Sequence, residues 1–254
     1  MTQEILIAVV PATITGLLSW AVSRWQSRRD IQKVQEQIEA QYHAERRTRS
    51  AHVLDTLLFQ ADLLRTQLEA VRGMLMDERH KAQQMRGWFA EIKEECARGT
   101  AKDGAAFSAK CHYHLIFSMT TLYYTAIYFL YAHEMRRLIP FTRLSLGQQA
   151  DLDSKLTRVR HAFARAEADR LGEERGLWVP VQDNMGSSVR KDGSHKSYTE
   201  FCRLFVDTTF EREDHVFLRP LDFYGANPAV CLDVAGATVI VDALRGFEEL
   251  RKQL

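Results

Sequence analysis

Cys111 to His133 reads CHYHLIFSMTTLYYTAIYFLYAH, twenty-three residues without a charge. At about 1.5 Å per helical residue the run is long enough to cross a hydrocarbon core of about 30 Å, so its reading decides the fold. Two features argue for a helix buried in protein. The tyrosines at 113, 123, 124, 128 and 131 are spread through the middle of the run, whereas bilayer helices gather their aromatic residues at two interfacial belts. A crossing here would also place Arg136, Arg137 and Arg143 on the outer side, against the bias that keeps Arg and Lys inside. The run is therefore expected to be the central core helix of a bundle, its tyrosine hydroxyls supplied with partners there.

Toward the N-terminus lies a second uncharged run, Ile5 to Ser23 (ILIAVVPATITGLLSWAVS). Its nineteen residues span roughly 28 Å as a helix, and the run reads as a single transmembrane anchor. A cleaved signal peptide would carry positive charge ahead of its apolar run. Met1 to Glu4 holds one acid and no base, and the cluster Arg24, Arg28, Arg29, Lys33 comes afterwards. That cluster places the N-terminus outside and the remainder in the cytoplasm, with Trp20 and Trp25 near the inner interface. Ala8, Ala12 and Gly16 recur every four residues, a face that lets two span backbones approach and the chain self-associate.

Between the runs, residues 26–50 are rich in Gln, Glu, Arg and Ala, good helix formers, and read as a charged helical stalk. From Leu54 the spacing sharpens: Leu54, Leu57, Ala61, Leu64, Leu68, Val71 and Leu75, then after a break at Glu78 Ala82, Met85, Phe89, Ile92 and Cys96. Alternating steps of three and four over about six heptads give a long helix with one apolar seam, of coiled-coil type. Val53, Leu58, Leu63 and Met74 widen the stripe, which favours packing inside a multi-helix bundle over a two-stranded seam.

Pro140 ends the tyrosine-rich helix, and Leu152, Leu156, Val159, Phe163 and Ala166 mark another that opens near Ser145 and ends by Gly172–Gly176. Leu177 to Val189 predicts a short helix. Ser197-Tyr198-Thr199-Glu200 is a capping-box pattern, and Asn227-Pro228 reads as a cap before the last helix, with Ala237, Ile240, Leu244, Phe247 and Leu254 on its inner face. The run Gly236 to Val241 could instead form a strand, because its residues are β-branched. No internal repeat is present. The expected architecture is all-α: an anchor over 1–25, a stalk over 26–50 and a cytoplasmic helical bundle over 51–254.

With 34 basic and 33 acidic residues in 254, the formal charge is +1, which speaks against a nucleic-acid-coating protein. The four cysteines form no CxxC pair, and in a cytoplasmic domain they read as reduced thiols. Among Cys111, His112, His114 and His133 only Cys111 and His114 share a helix face, so no metal site is expected. His133-Glu134 lacks a zincin's second His, and no cofactor fingerprint occurs. The best ligand candidate is the Gly/Ser-rich basic loop 186–196, where Arg190, Lys191, His195 and Lys196 could meet an anion; the same composition marks ordinary surface loops. Gln182-Asp183-Asn184 could hydrogen-bond a ligand or cap a turn. No residue is assigned a catalytic role.

The span, the stalk, Tyr128–Phe141 (YFLYAHEMRRLIPF), Gly176-Leu177-Trp178, Gln182 to Gly186 and the Tyr198/Phe201 helix together resemble a broad set of bacterial single-span, membrane-anchored helical proteins without an assigned activity. The resemblance covers most of the chain, rests on aromatic and charge patterns, and implies the bacterial inner membrane. The function expected is a non-enzymatic sensor, scaffold or effector subunit that binds a protein or small ligand at the cytoplasmic face, with the lipid bilayer and further copies of itself as partners. The alternative is a membrane-disrupting stress or phage-defence effector whose run 111–133 inserts into the bilayer.

Overall fold

The computed structural model describes residues 2–77, 80–98, 104–112, 115–165, 176–205, 216–227 and 231–253, without the side chains of 2–31, 96–98, 104, 105, 108 and 165. These residues are overwhelmingly helical. Helix α1 runs Thr2–Met76, with no Gly or Pro between Leu17 and Arg72 to interrupt it. It is followed by α2 (Lys81–Arg98), α3 (Gly104–His112), α4 (Ile116–Leu138), α5 (Leu146–Arg165), α6 (Val179–Ser188), α7 (Tyr198–Arg203), α8 (Leu218–Leu221) and α9 (Val234–Gln253). Packing divides the chain into two compact units, Met1–Arg49 and Ser50–Leu254.

In the first unit the helix is polar after Ser23 and, from residue 32, almost wholly exposed. Val34, Ile38 and Tyr42 stand 52%, 58% and 47% open. Ile5 to Ser23 is helical, but its side chains, with those of Ala8, Ala12 and Gly16, lie outside the described residues. Among the described residues no helix is long and apolar enough to cross a membrane.

The second unit is built around α4. Leu122, Ala126, Ile127 and Tyr128 are buried on it, and the seam from Leu54 to Leu75 closes over the same core. The seam continues through Met85, Phe89 and Ile92, yet the single long helix expected there is two: α1 stops at Met76 and α2 begins at Lys81. Phe89 of α2 stacks on Tyr224 at 5.5 Å between ring centroids, in a π-helical turn at Asp222–Ala226. Gly225 takes φ 149° there, and a Cβ would stand 3.1 Å from Arg86 Cγ. Across α1 and α9, Arg65 bonds Asp62 (2.7 Å), Glu248 (2.9 Å) and Glu69 (3.0 Å).

The helix ends follow local chemistry. Ser145 and Gln148 exchange side-chain and backbone bonds at the start of α5 (3.0 and 3.3 Å), and Ser197 with Glu200 forms the expected capping box on α7. The last helix begins later than expected. Residues 231–233 are not helical, and Asp233 Oδ1 caps α9 by accepting from Gly236 N at 2.7 Å. Gly236 to Val241 is helical, so the strand alternative is corrected: its apolar residues sit at helical spacing, burying Gly236, Ala237, Ile240 and Val241. Tyr113, His114, Ala166, Gly172, Pro228 and Leu254, and the side chain of Cys96, lie outside the described residues.

Candidate functional site

The basic loop contains a two-stranded hairpin that sequence reasoning missed. Arg190–Lys191 pairs antiparallel with Ser194–His195, in the register Arg190 to His195 and Lys191 to Ser194. Gly193 turns the chain at φ 72°, a conformation that side-chain-bearing residues seldom adopt. The hairpin brings the four candidate cations together, and each is engaged within the fold. Arg190 pairs with Glu134 of α4, and Lys191 Nζ bonds Glu200 Oε1 of α7 at 2.7 Å. Lys196 Nζ donates to the Ser188 carbonyl at 2.5 Å. His195 Nδ1 lies 2.9 Å from the Tyr131 hydroxyl, and burial lowers its pKa. Tyr123 adds a bond from its hydroxyl to the Lys196 carbonyl at 2.9 Å. Glu200 is held down at about 2, first by Lys191 and then by the Ser197 amide and hydroxyl. The hairpin thus fastens α6 to α4 and α7.

A second polar cluster lies where α4, α5 and α6 meet. Glycine at 186 permits that meeting, because a Cβ there would stand 2.7 Å from the Leu130 amide nitrogen. The resulting cleft is lined by Tyr128, Phe129, Ala132, His133 and Arg136 of α4, Leu156 and Arg160 of α5, and Gln182 and Asp183 of α6. Arg160 Nη2 reaches both Asp183 oxygens, at 2.7 and 2.8 Å. His133 Nδ1 stands 3.6 Å from Asp183 Oδ1, beyond a hydrogen bond but within reach of an ion pair once the ring is protonated. Gln182 Nε2 donates to the carbonyls of Arg160 (3.0 Å) and Leu177 (2.6 Å). Two acceptors on the nitrogen fix which end of the amide is which, and Gln182 Oε1 is left buried without a partner among the described residues. Tyr128 is 1% exposed, its hydroxyl is likewise unpartnered among the described residues, and burial raises its pKa well above the ordinary tyrosine value.

Of these residues the sequence singled out His133, Gln182 and Asp183, in separate stretches. Tyr128 belongs to the expected core helix and Arg136 to the topology argument, and nothing in the sequence singles out Arg160. Among the described residues no group of three His, Cys, Asp or Glu side chains is placed to hold a metal ion. The cleft offers guanidinium, imidazole, carboxylate and neutral hydrogen-bonding groups, a set suited to holding a polar ligand. No protein-family model, curated protein or solved structure matches the chain.

Proposed function

We propose that this protein is a bacterial inner-membrane sensor or effector subunit: Ile5–Ser23 crosses the bilayer once, residues 26–50 form a stalk, and a cytoplasmic bundle binds a small ligand or protein partner without catalysing a reaction. The observation that carries the reading is the use made of the two uncharged runs. The second run is divided, Cys111 and His112 ending α3 and Ile116 to His133 lying in α4, and α4 is enclosed by its own bundle, with Tyr123, Thr125 and Tyr131 bonded to Lys196, Tyr224 and His195 at 2.7–2.9 Å. That leaves Ile5–Ser23 as the run a bilayer would take, with the positive cluster on its cytoplasmic side. Copies associate through Ala8, Ala12 and Gly16.

Membrane fractionation with thiol labelling tests it. Gly147 is exposed, with nothing within 4 Å of where a Cβ would stand, so Gly147→Cys leaves the fold intact. The full chain is expected in the membrane pellet, released by detergent and not by high salt. Residues 51–254 alone are expected in the supernatant, monodisperse and helical. Labelling of Gly147→Cys from outside intact cells, above the chain without that change, would sink the single-span reading. A 51–254 segment that folds only in detergent would favour the inserting effector.

A further inference from the structure

Arg136 is half-buried, and among the described residues no carboxylate lies within 4.0 Å of its guanidinium; Nη2 donates to Thr157 Oγ1 at 3.1 Å. Burial, and after it the neighbouring charge of Arg160, lowers its pKa, while Asp153, Tyr128 and Asp183 act the other way. Asp183 already receives both bonds from Arg160. Buried charges are ordinarily paired, and this half-buried guanidinium touches no carboxylate among the described residues. Beside it lie two further unmet demands, the Tyr128 hydroxyl and Gln182 Oε1. A buried polar group without a partner is costly, and native folds keep few of them.

One kind of ligand meets all three. Arg136, His133 and the Tyr128 O–H call for an anionic oxygen, while Gln182 Oε1 calls for a hydrogen-bond donor. The cleft opens partly to solvent and its cavity is about 20 Å³, room for the centres of a few small polar atoms. It therefore suits an oxygen-bearing head group and not a large buried cofactor. We propose that the cleft between α4, α5 and α6 binds a small oxyanion bearing its own hydrogen-bond donor, with the charge at Arg136 and His133 and the donor at Gln182 Oε1. Two sources share that chemistry, protonated phosphate and a small hydroxycarboxylate. The assignment rests on the ligand-binding reading above and names the ligand class for it.

Thermal melting of the full chain in mild detergent provides the test, with inorganic phosphate and lactate as probes and chloride at matched ionic strength as control. At about 10 mM, one probe is expected to raise the melting temperature of the wild type by a few degrees and chloride not to, by mass action on the folded state. Which probe acts identifies the source. Arg136→Met, which removes the unpaired charge and keeps the stem, is expected to melt no lower than the wild type without probe and to lose the response. Tyr128→Phe keeps the ring and is expected to weaken the response severalfold, so the site remains testable should Arg136→Met fail to fold. Equal rises in wild type and both variants, or no rise with either probe, would overturn the site and leave a cleft holding water only. Fractionation of the source cells before detergent is added reads the membrane anchor independently.

Discussion

Ile5–Ser23 and Cys111–His133 are two uncharged runs of similar length, and hydropathy alone treats them alike. They differ in the polar atoms they carry. The first has hydroxyls only at Thr13, Thr15, Ser19 and its last residue, Ser23, and no tyrosine, so a lipid environment would leave little unsatisfied. In the second, Tyr123 donates to the Lys196 carbonyl, Thr125 meets the Tyr224 hydroxyl at 2.7 Å, and Tyr131 meets His195. Hydrocarbon offers no such partners, whereas a bundle can place one opposite each hydroxyl. For an apolar run of this length, the distribution of polar atoms says more about its surroundings than the length does.

A buried lysine gives the largest expected effect. Ala126 is fully buried on α4, and Ala126→Lys would drive an ammonium into the core with no partner built for it. The cost is on the order of 4 kcal/mol or more, enough to remove most of a small domain's stability. Circular dichroism is expected to show loss of the cooperative thermal transition. The same change in the other run, Ala12→Lys, is expected to leave that transition in place and move the chain from membrane pellet to supernatant, since a charge near a span's centre opposes insertion by about 3 kcal/mol. An unchanged melting curve for Ala126→Lys would refute a core role for α4.

The same contrast shows what could be read in advance. The apolar seam and the capping box were legible because period and cap chemistry are local; Leu57, Leu64, Leu68, Met85 and Phe89 are all fully buried. The split between α1 and α2, the hairpin over 190–195 and the late start of α9 depend on a few residues at each end, where tertiary contacts decide. The cleft was the least legible. His133 and Arg136 lie almost 50 residues from Gln182 and Asp183, and they meet because α6 presses Gly186 against Leu130. A glycine inside the predicted helix 177–189 was the one local sign of close approach. No local pattern indicated that Arg136 would lack a carboxylate.

Alkaline pH sharpens the comparison from the side of the tyrosines. Tyr123 is pushed up to about 12, first by burial and then by Tyr124, Glu200 and other neighbours, and burial also raises Tyr128, Tyr198 and Tyr224. A folded-state value above the unfolded value of about 10 means that the neutral form is the one the fold stabilises. That stability is fully present below pH 10 and is lost as pH rises through about 12. Tyrosinate absorbance and helical ellipticity are therefore expected to change together over that window. Tyrosinate forming near its ordinary pH with ellipticity intact would mean that these rings are not held in the core.

The smallest effect belongs to the first run. Ala8, Ala12 and Gly16 recur at four-residue steps on a segment that is helical, so they fall along one face. In a bilayer, helices gain nothing from hiding apolar surface from each other. Association depends on close backbone approach, which small residues permit. Replacing Ala12 and Gly16 together by Ile keeps the run apolar and long enough to insert while holding two backbones apart. An in-membrane two-hybrid signal is expected to fall about fivefold, on the order of 1 kcal/mol of association. The melting of residues 50–254 is expected to stay unchanged, because neither position belongs to that unit. If the signal persists at full strength while the chain still fractionates with membranes, the small-residue face is turned toward lipid, and any assembly is made by other parts of the chain.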